Sequence, residues 1–281
     1  MARIIGGVTS SHIPAVGNAI DQGLQQQPYW KRFFDGYQPA TAWLGKHRPD
    51  VVIVVYNDHG LNFFLDKVPT FALGCADAYC HTDEGWALKP LAPFPGDAPF
   101  SWHLAEKLVE QEFDICTCQE MKVDHGFVNP LRALYGTHEV WPFRSIPLAV
   151  NTVQHPLPTA ARCLKLGKAL RKAIESYPDD VKVVILGTGG MSHQLQGERA
   201  GIIDVDFDLE CMERIASDPE WMTQFSNSEL VARAGSEGIE TIMWLVMRGA
   251  LQDNVRIIHK HYHAPISNTG AGVMVLENTF I

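Results

Sequence analysis

Three histidines stand just past three short, apolar, β-branched runs. His12 follows Arg3–Val8 in Thr9-Ser10-Ser11-His12-Ile13-Pro14. His59 follows Val51–Tyr56 in Asn57-Asp58-His59-Gly60. His193 follows Val181–Leu186 in Gly187-Thr188-Gly189-Gly190-Met191-Ser192-His193. In open α/β sheets ligands bind at the carboxyl ends of the strands, so parallel, neighbouring strands would make these imidazoles converge. Two imidazoles and one carboxylate on one face of a metal leave three positions open, the arrangement of non-haem Fe(II) oxygenases. A catechol can fill two of them and dioxygen the third. Spacing alone leaves the carboxylate open among Glu237 and Glu240, which begin a predicted helix, and Asp58 beside His59. Asp124-His125-Gly126 adds a fourth imidazole after another predicted strand. His259, His261 and His263 alternate and share one strand face, read as an exposed edge strand. His47, His81, His103, His138 and His155 follow no pattern and are read as surface residues.

The elements that must position these residues alternate between two periods. Strands are predicted at Arg3–Val8, Val51–Tyr56, Asp114–Cys118, Ile146–Val150, Val181–Leu186 and Gly272–Leu276. Each is short and nearly all apolar, as in a sheet covered on both faces. Helices are predicted at Trp30–Gly45, split in two at Pro39, at Ser101–Glu112 with a Ser cap, at Thr159–Ser176 and at Ser236–Arg248. The alternation predicts an α/β chain, a three-layer α/β/α sandwich around a mixed, largely parallel sheet. No linker or repeat divides residues 1–281, which read as one catalytic domain. Asp66–Phe100, rich in Pro and Gly, reads as a long excursion that supplies a wall of a site. Gly187-Thr188-Gly189-Gly190 follows a strand but lacks the spacing of a P-loop or dinucleotide fingerprint.

With 46% hydrophobic and 20% charged residues, the chain is neither disordered, collagen-like nor a coiled coil. A net charge of −9 disfavours nucleic-acid backbones and anionic membranes as partners. The six cysteines are scattered, and Cys116 and Cys118 alone share a strand face; they are read as reduced thiols. The N-terminus shows no long apolar leader run, and a cytoplasmic location is expected.

Several motifs together resemble the class III extradiol ring-cleavage dioxygenases. They are Ser10-Ser11-His12-Ile13-Pro14, Tyr56-Asn57-Asp58-His59, Asp83-Glu84-Gly85-Trp86, Val123-Asp124-His125-Gly126, the run from Gly187 to Gly197, Gly235-Ser236-Glu237-Gly238-Ile239-Glu240 and Ser267-Asn268-Thr269. The resemblance spans nearly the whole chain and is nearest to the catalytic β subunits that cleave protocatechuate at its 4,5 bond. It implies that His12, His59 and Glu240 bind Fe(II), that His193 is the acid–base residue, and that His125 lies close to bound dioxygen or a substrate oxygen. Ser267 and Asn268 would hydrogen-bond the ring carboxylate. The implied reaction converts protocatechuate and O2 to 4-carboxy-2-hydroxymuconate semialdehyde, in catabolism of lignin-derived aromatics. A small, separate α subunit would cap the site in an α2β2 assembly.

Asn18 stands where the resemblance leads to a small residue. Its amide is a candidate contact for a further ring substituent, such as the third hydroxyl of gallate, so gallate or 3-O-methylgallate is the alternative substrate. A Zn²⁺-dependent hydrolase using the same histidines is the rival chemistry. A serine hydrolase is weaker, because Gly190-Met191-Ser192-His193-Gln194 is not a nucleophile elbow. A scaffold would have no use for converging ligands.

Overall fold

A computed structural model describes residues 1–279. The strands are β1 (Arg3–Ser10), β2 (Val51–Tyr56), β3 (Phe71–Gly74), β4 (Ala78–His81), β5 (Phe94–Pro95), β6 (Cys116–Cys118), β7 (Lys122–Val123), β8 (Arg144–Val150), β9 (Lys182–Thr188), β10 (Val255–Ile266) and β11 (Thr269–Asn278). The helices are α1 (Pro14–Asp21), α2 (Pro28–His47), α3 (Ala98–Glu110), α4 (His125–Tyr135), α5 (Ala160–Glu175), α6 (Val205–Ser217), α7 (Asn227–Ala234) and α8 (Ile242–Ala250). Eight strands form one sheet in the order β10-β11-β1-β9-β2-β8-β3-β6, and β5-β4-β7 form a small second one.

The middle of the large sheet is parallel: β1 pairs β9, β9 pairs β2 and β2 pairs β8 in that sense. The flanks add antiparallel pairs, β1 with β11, β11 with β10 and β8 with β3. Side chains on a strand alternate between faces, and here both faces are apolar. Val51, Ile53 and Val55 join α3, α5, α6 and α8 in one core. Val52, Val54 and Tyr56 join α1, α2 and α4 in the other. The predicted three-layer sandwich is what the chain adopts. β10 is an edge strand carrying His259, His261 and His263, and His259 Nε2 donates to the Gly36 carbonyl at 2.7 Å.

Several boundaries differ from the sequence reading. α2 runs unbroken through Pro39. Proline removes one helical hydrogen bond, but Phe33, Gly36, Tyr37, Ala40 and Trp43 bury one face of this helix, and that packing outweighs the local break. α3 begins at Ala98, capped by Asp97, whose side chain accepts from Phe100 N at 3.2 Å; Ser101 lies buried inside the helix. The predicted helix Ser236–Arg248 is a 3-10 turn, Gly238–Thr241, followed by α8. Asp66–Phe100 is less irregular than expected, since it holds β3, β4 and β5. All six cysteines are free thiols. Among the described residues, no helix is long and apolar enough to cross a membrane.

α8, which follows the turn carrying Glu240, is held against α5 by a glycine contact. A Cβ at Gly167 would stand 2.2 Å from the Val246 carbonyl oxygen, and one at Gly249 would stand 2.4 Å from that of Leu164. Both obstacles are backbone, so neither can yield cheaply. Gly249→Ala should therefore cost about 1–3 kcal/mol by overpacking. Thermal denaturation would read this as a melting temperature lower by several degrees; an unchanged value would mean that the helices separate freely.

Candidate metal and substrate site

Because β1, β9 and β2 are adjacent and parallel, His12, the Gly189–His193 turn and His59 leave the sheet at the same edge. There they meet Glu240 from the 3-10 turn and His125 from the start of α4. The group surrounds a cavity of about 350 Å³. A larger cavity of about 640 Å³ lies on the other side of His59, between Phe63–Leu65 and Asn151–Gln154. Its only carboxylates belong to Asp58 and Asp66, and Asp58 accepts the backbone N–H groups of Leu61, Asn62 and Phe63 within its own turn. His12, His125, His193 and Glu240 line the smaller cavity alone, and His59 borders both.

Four imidazoles each have Nδ1 engaged. His12 Nδ1 pairs with Thr188 Oγ1 at 3.0 Å. His59 Nδ1–H donates to Asp124 Oδ2 at 3.0 Å. His125 Nδ1–H donates to Glu84 Oε1. His193 Nδ1–H donates to the Met191 carbonyl at 2.8 Å. Carboxylate and carbonyl partners only accept, so they put the proton on Nδ1 and leave Nε2 with its lone pair. His12 Nε2 lies 3.2 Å from Glu240 Oε2, and His59 Nε2 lies 4.0 Å from Glu240 Oε1. Gly190 N donates to Glu240 Oε2 at 2.7 Å and Asn57 Nδ2 to Oε1 at 3.2 Å, fixing the carboxylate.

Burial favours a neutral carboxyl at Glu240, but the neighbouring His12, His193 and His59 outweigh it and hold the group well below the usual carboxylate range. Burial opposes charge on His59 too. Asp124, by charge and hydrogen bond, and then Glu240 and Glu84, overcome this and push it up to about 9. His125 goes the other way: burial and His59 push it down to about 4, against the Glu84 hydrogen bond, so it is neutral at pH 7. His12, His59 and Glu240 thus offer two imidazole nitrogens and one carboxylate, a donor set that a divalent cation fits by displacing the proton on His59. A nitrogen–oxygen separation of 3.2 Å is close to the ~3 Å between adjacent donors of an octahedral ion with ~2.1 Å bonds. Of the carboxylates that spacing left open, Glu240 alone faces an imidazole Nε2. Glu237 lines the cavity but accepts from Leu195 N at 3.0 Å and from Ser236 Oγ. The imidazole nitrogens of His12, His59 and His125 also lie within 4.8 Å of one another, so His125 borders the same ion position.

The remaining predicted residues are placed as follows. Ser267 lines the cavity at the tight β10–β11 turn, where Ser267 and Asn268 have φ of 50° and 59°; Asn268 is beside it, exposed, and outside the lining. Asn18 is outside the lining as well, and its Nδ2 donates to the Trp86 carbonyl at 3.0 Å. It thereby tethers a loop that does line the site. That loop is built on Asp83, which accepts from Gly85, Trp86, Ala87 and Leu88 N–H groups at 2.9–3.2 Å. It presents Trp86 as a wall and Glu84 to His125.

Sequence reasoning gave no role to Asp124, Glu84, Asn57, Thr188 or Thr152. Asp124 had a signal, a helix-capping residue type just before α4; its Oδ1 accepts from Gly126 N at 2.9 Å. Glu84 lay in a quoted motif, but nothing local tied it to His125, 41 residues away.

A family model described as the catalytic LigB subunit of aromatic ring-opening dioxygenase matches residues 6–274. A gallate dioxygenase of Pseudomonas putida is 44% identical over 196 residues, which cover 70% of this chain but 57% of that protein. The match therefore spans little more than half the length of that relative. A 2,3-dihydroxyphenylpropionate/2,3-dihydroxicinnamic acid 1,2-dioxygenase of Comamonas testosteroni is 26% identical over 287 residues, 85% of this chain and 87% of the relative. The crystal structure of an uncharacterized protein from Escherichia coli K12 superimposes with a TM-score of 0.60 at 12% identity, over 96% of this chain and 99% of that one, a likeness of fold.

Asp124→Asn should weaken divalent-metal binding about 10–100-fold, as loss of a partner behind a ligating histidine does; metal titration of the chelator-treated protein measures it. The same variant tests the electrostatics. Without metal, the His59 pKa is raised from 6.5 to about 9. Its stabilisation is then fully present below pH 6.5 and lost as pH rises through about 9. The metal-free wild type should lose melting temperature across that window, and Asp124→Asn should lose less, since only the Glu240 and Glu84 charges then raise His59.

Proposed function

Since the chain belongs to the family of catalytic LigB subunits of aromatic ring-opening dioxygenases, we propose that it performs extradiol cleavage of a carboxylated catechol with Fe(II) and O2. The observation that carries this reading is the convergence of His12, His59 and Glu240, with His12 Nε2 3.2 Å from the carboxylate, in a cavity that His193 and His125 also line. Fe(II) held by His12, His59 and Glu240 would supply a Lewis acid for the diol and a binding position for O2.

The chain's own residues do the rest. Ile13, Pro14, Trp86 and Val153 line the cavity and pack against an aromatic ring, excluding water. His193 presents Nε2 while its Nδ1–H is anchored on a carbonyl. It can take a phenolic proton at Nε2 and return it without changing tautomer partner, the work of a general acid–base residue. His125, neutral and tied to Glu84, offers Nε2 as a hydrogen-bond acceptor beside the same oxygens. Among the described residues no lysine or arginine lines the cavity. The ring carboxylate is assigned instead to the exposed Ser267–Asn268 turn, where it stays solvated beside the Ser267 hydroxyl on the cavity wall and the Asn268 amide just outside it.

Protocatechuate is the substrate that the motifs suggest. The 44% identity to a gallate dioxygenase favours gallate, so the trihydroxy acid is placed first. A capping α subunit in an α2β2 assembly belongs to this reading, supported by Trp86, Val153 and Leu195, which line the cavity and are 46%, 49% and 58% exposed.

The test is anaerobic loading with Fe(II), with and without a candidate α subunit, then oxygen uptake on gallate and protocatechuate. Uptake with a new semialdehyde absorbance is expected. No uptake, with Zn²⁺ retained in preference to iron, would favour the hydrolase chemistry. Glu240→Ala should lose stoichiometric iron. His193→Phe should keep iron and diol binding while turnover falls about 10²–10⁴-fold; surviving turnover would remove His193 from the acid–base role.

A further inference from the structure

One hydroxyl on the cavity wall has no partner in the protein. Thr152 lies just beyond the end of β8, is 7% exposed and lines the cavity, and its Oγ1 is buried without a hydrogen bond. Of the other hydroxyls around the site, Thr188 pairs with His12, Thr269 with the Ser267 carbonyl, Ser192 with Asp208 and Ser236 with Glu237, while that of Ser267 is exposed at its turn. Leaving a buried hydroxyl unpaired is costly, and such a group at a binding cavity is accounted for by a ligand that completes it.

The sheet order says which side of a substrate it would meet. Along β11-β1-β9-β2-β8, His12, His193 and His59 follow the three middle strands, and Glu240 reaches them from the 3-10 turn before α8. The Ser267–Thr269 turn lies at the β11 flank and Thr152 at the β8 flank, so two polar walls face each other across the diol position. Thr152 shares its wall with Val153 and has no cation beside it. One neutral hydroxyl cannot offset the desolvation of a carboxylate, whereas it matches a neutral phenol one to one.

We propose that Thr152 Oγ1 hydrogen-bonds a third ring hydroxyl adjacent to the diol and sets the preference for a trihydroxy over a dihydroxy acid. This rests on the ring-cleavage reading and gives its substrate class. It also moves the selectivity contact from Asn18, whose amide is spent on the Trp86 carbonyl, to a residue whose hydroxyl is free. A site built to bond a substrate hydroxyl discriminates strongly against the analogue that lacks it, because the protein group is then left unpaired.

The test compares Thr152→Val, which keeps the shape and removes the hydroxyl, with Thr152→Ser, which restores it. In the iron-loaded full chain, Thr152→Val should lower kcat/KM for gallate about tenfold, the equivalent of one buried neutral hydrogen bond. Protocatechuate should change little, and Thr152→Ser should recover the gallate value. In the metal-free chain, the melting temperature of Thr152→Val should equal or exceed that of wild type, because an unpaired polar group has been removed. An unchanged gallate-to-protocatechuate ratio, or equal loss on both with a lowered melting temperature, would overturn the inference alone. A wild type that consumes oxygen with neither acid would remove the ring-cleavage reading, and this inference with it.

Discussion

The site depends on one buried carboxylate. Asp124 has no exposed surface and joins two elements that the chain brings from far apart. Its Oδ1 caps α4 through Gly126 N, and its Oδ2 accepts both the backbone N–H and the Nδ1–H of His59. Burying a carboxylate is costly unless its lone pairs are filled. Here three hydrogen bonds and the positive end of a helix dipole fill them, and His59 and its bonds hold the group well below the ordinary carboxylate range despite burial. One anchor thus fixes the His59 ring and the first residue of α4, which is His125. The two imidazole centroids end 4.1 Å apart, the His59 ring held by Asp124 and the His125 ring by Glu84.

The other imidazoles follow the same logic with different partners. A hydroxyl holds His12, a carboxylate holds His125 and a carbonyl holds His193. A carboxylate behind an imidazole raises its basicity and suits a metal ligand. A backbone carbonyl orients the ring without adding a charge, which suits a group that must gain and lose a proton. Carboxylates stand behind both His59 and His125, a hydroxyl behind His12 and a carbonyl behind His193, so four chemically identical side chains are tuned by partners that do not line the cavity.

This explains what was legible in the sequence. The Val51–Tyr56 run is β-branched and apolar throughout, so both its extent and its burial on two faces could be read directly. His12, His59 and His193 could be read because each directly follows such a run, and strand adjacency does the rest. Glu240 could not be separated from Glu237 by spacing, because residues three apart share a side of a 3-10 turn and both line the cavity; tertiary contacts decide, Glu237 being taken up by Leu195 N and Ser236 Oγ while Glu240 meets His12 Nε2. Glu84 and Thr152 were invisible for other reasons. Glu84 leaves an irregular segment that has no period, and Thr152, although it follows the predicted strand Ile146–Val150, is a residue type that no chemistry singles out until its burial and missing partner are seen. α2 shows the converse, a local proline signal overruled by the burial of a whole helix face.

The run Gly187-Thr188-Gly189-Gly190 shows how such a motif can mislead by spacing and inform by physics. It resembles the glycine-rich turns that cradle a phosphate after a strand, and the need is related: a backbone N–H must reach an anion closely. The anion here is the protein's own Glu240, which accepts from Gly190 N at 2.7 Å. Gly189 has φ of 123°, and a Cβ on it would stand 2.9 Å from both Glu240 Cβ and the Glu240 carbonyl oxygen. A Cβ on Gly190 would stand 2.4 Å from His193 Cε1. Thr188, between the glycines and the strand, holds His12. Three consecutive residues, Thr188, Gly189 and Gly190, therefore serve His12 on one side, the Glu240 carboxylate in the middle and His193 on the other. The glycines are required because these three groups crowd one turn, and the crowding brings the Glu240 carboxylate within 3.2 Å of His12 Nε2.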